Sequence, residues 1–434
     1  MRVDPPPGRH GQSRLTRRDL LFPGARGDRP RPADSGTRWH IDPTKDAADR
    51  PALIVLLLRG GADGLHIVPP YRDDAYHRAR PTIRLRPPND RTVAKTDRCI
   101  DLDGAFGIHP ALAPLVPLYR DGSLAIVHAC GSGDRTRSHF EAMSTVERGL
   151  ETADRGPRTG WVARYLSATP PATPSPLRAV AFSDVSPESL RGAPDAVVLR
   201  NLNEFRLGSL PHSSASEAWR AGLVDLYARA ADPVAPAGRA ILKAVAAVQR
   251  AVAAASSRAD RVPYPASGLG AALRETATLL RAGVGLEIAV LERGGWDTHV
   301  AQGAGGGWMA SLLDDVARSV AAFAADIGSG RSRVRVVALT EFGRRVAENG
   351  GYGTDHGRAS VALVLGGSVQ GGRVVTDWPG LDPEDLEGPG DLRVTADYRS
   401  VLYGALRSLG CEGALSSVFP AFRPVVAHSP FLVE

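Results

Sequence analysis

The chain has 434 residues, 43% of them hydrophobic and 23% charged, an ordinary globular balance. Its net charge of +6 sits mainly in residues 1–50, where 11 Arg and Lys face 7 Asp, while the rest of the chain carries 42 basic against 40 acidic residues; a broad basic surface for nucleic acid is therefore excluded. No apolar run approaches the roughly 18 residues of an integral membrane segment, and Cys99, Cys130 and Cys411 form no CxxC pair, which excludes a zinc ribbon and a disulfide scaffold.

Residues 1–50 are rich in Pro, Gly, Arg and Asp without helical or strand period, and read as a disordered basic tail. Within it, Thr16-Arg17-Arg18-Asp19-Leu20-Leu21 resembles a twin-arginine export motif. The motif is degenerate. Its apolar run ends at Pro23 and Gly24, Arg26 follows, and no Ala-x-Ala cleavage site is evident, whereas a working signal carries roughly 7–15 apolar residues. Two readings stay open: export to the periplasm through the twin-arginine translocon, or a chance Arg pair in a cytoplasmic protein.

The body opens on Ala52 to Leu58, apolar at every position and stopped by Arg59-Gly60-Gly61-Ala62-Asp63-Gly64. A run without a polar side predicts a strand covered on both faces, as in a parallel sheet under helices. Similar runs recur at Leu124 to Ala129, Leu286 to Leu291, Val334 to Thr340 and Ser360 to Leu365, each followed by glycine and polar residues. Between them, helical patterns span Ser138 to Leu150, Arg239 to Ser257, Ala271 to Arg281, Met309 to Ile327 and Asp397 to Ser408. This alternation predicts an α/β fold over residues 51–430, a doubly wound, mostly parallel sheet flanked by helices. Residues of about 186–275, mostly Ala-rich, read as a helical insertion or cap.

In such sheets the ligand crevice lies beyond the carboxyl ends of the strands. The loops there carry Asp63, then Ser138 and His139, then Asp297 and His299, then Glu341; Asp355 and His356 precede the strand at 360. Carboxylates and imidazoles ligate divalent ions, and several in one crevice can activate water or hold an ester oxygen. Each also has a plain structural reading. Asp63 suits a turn, Ser138 a helix N-cap paired with Glu141, His139 a contact in the first helical turn, and Asp297 a cap. Glu341 could pair with Arg344, and Asp355 with His356 suits a hydrogen-bonded turn. His66, His77, His109 and His128 read as core or surface histidines. Arg59 to Gly64 lacks the GxGxxG pattern, which argues against a dinucleotide site.

Together these stretches resemble the alkaline phosphatase superfamily, which includes sulfatases and cofactor-independent phosphoglycerate mutases. More narrowly they resemble an uncharacterised bacterial domain family within it that often carries twin-arginine signals. The matching segments are Leu56–Leu65 (LLLRGGADGL), Phe106–Leu112 (FGIHPAL), Asp134–Phe140 (DRTRSHF), Gly294–His299 (GGWDTH), Thr340–Arg344 (TEFGR) and Gly353–Gly357 (GTDHG), with Gly371–Arg373 and Trp378–Gly380 adding to them.

The resemblance implies an alkaline-phosphatase-like fold and a metal site built from Asp63, Asp297, His299, Glu341, Asp355 and His356, holding one or two divalent ions (Zn, Mn, Mg or Ca). It implies Ser138 as nucleophile at a helix N-terminus, His139 as an orienting or acid–base group, and Arg344, with Arg59, as the partner of an anionic substrate. The implied activity is metal-dependent hydrolysis of small phosphate- or sulfate-type esters. Two departures stand out: Asp297 and His299 are separated by one residue instead of three, and Phe342 stands where the superfamily has a histidine. They favour an alternative, a catalytically inactive binding or assembly protein. Formylglycine sulfatase chemistry is disfavoured, because no Cys/Ser-x-Pro-x-Arg motif surrounds Ser138.

Overall fold

The computed structural model describes residues 50–431, apart from 154–155, 172–174, 176, 194–195, 207–213, 230–234 and 258–261. The tail and its Thr16 to Leu21 motif lie outside the described residues. The sheet strands in chain order are β1 (Ala52–Leu58), β2 (Leu124–Gly131), β3 (Ala179–Phe182), β4 (Ala196–Leu199), β5 (Ile288–Arg293), β6 (Val334–Leu339), β7 (Ser360–Gly366), β8 (Val374–Val375) and β9 (Ala396–Asp397). The longer helices are α1 (His139–Arg148), α2 (Trp161–Ala168), α3 (Ser214–Arg229), α4 (Ala235–Ser256), α5 (Gly268–Arg281), α6 (Trp308–Ile327) and α7 (Tyr398–Arg407).

Across the sheet the order is β8-β2-β7-β6-β1-β5-β3-β4, with β9 beside β2. β1 pairs in parallel with β5 (Leu56 opposite Leu291) and with β6 (Leu56 opposite Ala338). Of the nine strands only β7 runs backwards, antiparallel to both β6 and β2. This reversal matters for the site. The loop preceding β7 emerges at the same edge as the loops that follow β1, β2, β5 and β6, so residues 353–357 join them there.

The unbroken apolar run of β1 reflects burial on two sides. Ile54, Leu56 and Leu58 enter one core with Leu273 of α5 and Leu312, Val316 and Phe323 of α6. Leu53, Val55 and Leu57 enter the other with Val162 and Leu166 of α2 and Val401 and Leu402 of α7. Side chains alternate across a strand, so a central strand covered on both faces must be apolar throughout. In α6 the buried Met309, Leu312, Leu313, Val316, Val320 and Phe323 recur at helical spacing and form one face. Among the described residues no helix is long and apolar enough to cross a membrane.

The structure adds elements that periodicity did not predict. β3 and β4 are four-residue strands and α2 is a two-turn helix, too short for a period to declare itself. β4 falls inside the 186–275 range and pairs with β3, so that range is not helical throughout; its helices α3 and α4 follow the strand. α5, at its end, packs on α6 and β5 as part of the helical layer.

Beneath the carboxyl edge lies a fully buried ion pair. Arg80 holds Asp63 in a fork (Nη1 to Oδ2 2.7 Å, Nη2 to Oδ1 3.0 Å), and Gln302 Nε2 donates to Oδ2 at 2.8 Å. Arg80 also donates to the carbonyls of Arg345 and Val346, tying the β1 loop to the loop after β6. Burial alone would raise the Asp63 pKa, but Arg80 outweighs it and the carboxyl is held below its ordinary value. The expectation that Asp63 ligates metal is therefore corrected: its oxygens answer a guanidinium and an amide. Asp63→Ala leaves that guanidinium buried without its partner and is expected to cost about 3–5 kcal/mol, read as a lowered urea midpoint. Adding Arg80→Met should recover part of the loss.

Candidate metal centre

Four side chains from three loops converge at this edge. His139 is the first residue of α1, Asp297 and His299 follow β5, and His356 precedes β7. Asp297 Oδ1 lies 3.0 Å from His356 Nε2, 3.1 Å from His299 Nε2 and 3.6 Å from His139 Nε2. His299 Nε2 and His356 Nε2 are 2.9 Å apart. Ligand atoms of His139, Asp297 and His356 all lie within 4.8 Å of one another, close enough to share one ion.

What faces inward is set by what each ring does on its far side. His139 Nδ1 contacts Glu341 Oε1 at 2.8 Å, His356 Nδ1 the Arg137 carbonyl at 2.9 Å, and His299 Nδ1 Asp355 Oδ1 at 3.3 Å. Carboxylates and carbonyls only accept, so each Nδ1 must carry the proton. In the neutral rings each Nε2 is then a bare lone pair. Three lone pairs and a carboxylate oxygen facing one another repel, unless protons or a cation sit among them. His139 Nε2 is buried and without a hydrogen-bond partner. Histidines pinned at Nδ1 by a carboxylate or carbonyl are the usual arrangement at metal sites. Tetrahedral zinc, with bonds of about 2.0–2.2 Å, sets its ligands roughly 3.3–3.6 Å apart, so His139, Asp297 and His356 fit such an ion with small adjustments, while His299 adjoins the set through Asp297 and His356.

Glu341 and Asp355 were expected among the ligands; they orient instead. Glu341 is buried, and its Oε1 also accepts from the Gly60 N–H at 2.8 Å while Oε2 accepts from Thr340 Oγ1 at 2.8 Å. Burial opposes its charge, but the bond to His139 together with those from Thr340 and the Gly60 N–H outweighs it and keeps its pKa below the ordinary value. Asp355 Oδ1 also accepts from Asn349 Nδ2 at 3.0 Å, and chiefly that bond lowers its pKa. Phe342 packs at a tilt against both His139 and His356, with centroids 4.9 Å from each, so an apolar ring occupies that flank of the group.

Arg344 is not free to meet a substrate, which corrects that expectation. Its buried guanidinium donates to the carbonyls of Gly60, Gly61, Trp296 and Thr354 and, at 2.7 Å, to Asp297 Oδ1. It pairs with Asp297, and Glu341 is absent from its partners. Burial would raise the Asp297 pKa, but the Arg344 guanidinium, together with His356 whenever its Nε2 carries a proton and donates, holds it at about 2. Asp297 therefore meets the histidines as a carboxylate. Gly60 (φ 123°) is needed for this approach, since a Cβ there would stand 2.7 Å from the Asp297 nitrogen.

Ser138 is the N-cap of α1, as expected, but its side chain makes no capping hydrogen bond, so the expected box with Glu141 does not form. Arg137, just before it, has a left-handed backbone (φ 56°), uncommon for a residue with a side chain. That turn aims its carbonyl at His356, and its side chain is pinned to buried Asp391. This role of Arg137 had no signal in the sequence beyond its place in Asp134–Phe140. The four histidines read as core or surface residues make structural contacts: His66 and His109 both meet the Ala304 carbonyl, His77 the Tyr71 carbonyl and His128 the Val68 carbonyl.

Residues 50–407 match the family described as "Protein of unknown function (DUF1501)", and the chain belongs to that family. No curated protein matches it. Several solved structures are similar at low identity. One is the C-terminal periplasmic domain of EcEptC from Escherichia coli in complex with Zn, at 10% identity, covering 88% of this chain and 90% of that one, TM-score 0.34. Another is the PsFucS1 sulfatase from Pseudoalteromonas sp., at 12% identity with 85% and 69% covered, TM-score 0.34. A third is the phosphonate monoester hydrolase of Agrobacterium radiobacter, at 9% identity with 83% and 74% covered, TM-score 0.30.

The hydrogen bond to Glu341 raises the His139 pKa against the opposing effect of burial. In metal-free protein the imidazolium–carboxylate pairing thus contributes its full stability below the ordinary imidazole value of about 6.5, and loses it as pH rises through the raised folded value. Glu341→Gln should flatten this dependence, read as urea midpoints of chelator-treated protein between about pH 5 and 8.

Proposed function

We propose that this member of the family is a hydrolase of phosphate- or sulfate-type esters that works with one divalent cation held by His139, Asp297 and His356, with His299 as an adjoining nitrogen and one position left open to substrate or water. The observation that carries the reading is the set of three imidazoles, each pinned at Nδ1, aiming Nε2 at Asp297. A donor set with three nitrogens suits zinc better than the oxygen-seeking Mg or Ca. Bound there, the cation would neutralise charge on the ester oxygens and lower the pKa of a nearby hydroxyl or water. Phe342 favours one cation over two, because its ring cannot ligate and it covers one flank of the group.

The rest of the work falls to the chain. Ser138 is the candidate nucleophile: its hydroxyl is not used in capping, it adjoins His139, and it heads a ten-residue helix whose N-terminus favours negative charge. His139, with Nε2 turned to the group, serves as ligand in place of acid–base catalyst, and Glu341 holds its ring. Arg344 fixes Asp297. Overall, water adds across the ester bond and yields an alcohol and a free phosphate or sulfate. The second reading, a binding or assembly protein, draws on the same Phe342, since a group with one flank closed to ligands could hold an ion without turnover.

Elemental analysis of purified protein should find about one bound zinc or manganese per chain, the count of a single donor set. Asp297→Ala and His356→Ala should each weaken binding by well over tenfold, while Asp63→Ala, wherever it folds, should keep its metal. Aryl phosphates and aryl sulfates should be hydrolysed, with Ser138→Ala slower by about a hundredfold. Metal without turnover would leave the binding reading; absence of metal would remove both.

A further inference from the structure

A cleft of about 630 Å³ opens directly beside the histidine group, with His139, Asp297 and Glu341 on its inner wall. Its outer walls come from α1, the loop after β3, the end of β5 and Arg59. Two features of these walls are unusual for a site that receives an anionic ester.

The first is apolar. Phe140 is 89% exposed and Val185 is 74% exposed, and both border the cleft together with Met143 and Pro187. Phe140 immediately follows His139 in the chain, so a ligand held at the histidines has that ring as a neighbour. Large apolar side chains left in water at the lip of a polar site are candidates for contact with an apolar part of a ligand.

The second is charge. Five carboxylates line the cleft (Glu147, Glu188, Glu292, Asp297 and Glu341) against one guanidinium, that of Arg59. Arg59 is itself held between two of them: Nε donates to Glu292 Oε2 at 2.5 Å and Nη2 to Glu147. Ser183 Oγ donates to Glu292 Oε1 at 3.0 Å, and Glu147 Oε2 accepts from the Ser189 N–H at 3.2 Å. The carboxylates are thus fixed in place, and Glu188 is paired with Arg191 outside the cleft. With Arg344 on Asp297 and Arg191 on Glu188 counted beside Arg59, the five carboxylates leave an excess of two negative charges, which one divalent cation at the histidine group balances; on the outer wall, away from that group, Glu147, Glu188 and Glu292 still outnumber Arg59 and Arg191. A further negative charge on the ligand meets like charge here, which lowers affinity and discriminates between partners.

Resting on the hydrolase reading above, we infer that the cleft receives the leaving group of the ester, and that this group carries an apolar ring or branched chain and no negative charge. The ester's anionic head faces the histidines, and its organic arm lies along Phe140 and Val185. Cationic arms are accommodated as well as neutral ones, since the Phe140 face attracts a cation and the carboxylates complement it. Nucleotides, polyphosphates and carboxylate-bearing esters are rejected.

The test separates this inference from the hydrolase reading. Binding of benzylammonium and of benzoate is measured by ligand-observed NMR titration on the full-length chain, chelator-treated and at about pH 8 so that the carboxylate has no cation to coordinate. The two probes share a ring and differ in charge, and neither needs turnover. Benzylammonium should bind at least about tenfold more tightly than benzoate, and Phe140→Ala and Val185→Ala should each weaken it by several-fold. Both side chains are exposed, so these variants should fold, which circular dichroism verifies. On the zinc-loaded chain, benzylphosphonate should show the same loss on Phe140→Ala, while methylphosphonate, which has no arm, should not change. Equal binding of benzoate, or binding indifferent to Phe140 and Val185, overturns the inference even if esters are hydrolysed. Charge-selective binding that depends on Phe140 upholds it for the cleft even if no ester is turned over, and that outcome strikes the hydrolase reading alone.

Discussion

The guanidinium of Arg344 joins three loops that are far apart in the chain. It donates to carbonyls at Gly60 and Gly61 after β1, at Trp296 after β5 and at Thr354 before β7, and it reaches Asp297. Each of its three nitrogens donates to a fixed acceptor in a buried place, where an unpaired donor would be costly. Planarity makes the arrangement specific, because an ammonium could not serve so many fixed directions. Loops that would otherwise choose their own conformations are thereby locked to one another. The position of Asp297, and with it the point on which the histidines converge, follows from that lock.

Around Asp297 the structure builds a tension that only positive charge relieves. Glu341, Asp355 and the Arg137 carbonyl each take the Nδ1 proton of one ring, which turns the three Nε2 lone pairs toward a carboxylate. Phe342 closes one flank, and the left-handed backbone of Arg137 holds its carbonyl in line with His356. If the group holds a divalent ion as proposed, that ion would compete with protons for the same nitrogens, and metal binding and stability would be linked through pH. The Asp63–Arg80 pair stands apart from this tension. It meets its own charge balance below the site and braces the loops from beneath.

The surroundings divide by charge. Arginines near the site are occupied: Arg344 with carbonyls, Arg137 with Asp391, Arg358 with Glu387, and Arg59 with Glu147 and Glu292. Anion affinity in this site would then rest on the cation and the helix N-terminus more than on a free guanidinium fork. Specificity falls to a cleft with acidic and apolar walls, which is where a neutral or cationic arm fits.

Much of the sheet was legible because burial on two faces writes itself as uninterrupted apolar runs. β1, β2, β5, β6 and β7 were all visible in this way, as were α5 and α6 through their period. The four-residue strands β3 and β4 left no comparable mark. The rule that crevices form at strand ends picked out the segments that meet, and His139, Asp297, His299 and His356 were all among the candidates. Their roles were not legible. A carboxylate reads the same in a sequence whether it faces an arginine, as Asp63 does, or steadies an imidazole, as Glu341 and Asp355 do. Arg344 likewise reads as an anion binder until its donors are seen to end on backbone carbonyls. Sequence alone thus determined which segments are strands buried on both faces, because hydrophobic burial depends on local pattern, while the reversal of β7 that brings residues 353–357 to the common edge is a feature of the sheet. Only the tertiary structure decided which side chains face one another, because directed hydrogen bonds depend on distances and angles between residues up to nearly three hundred positions apart.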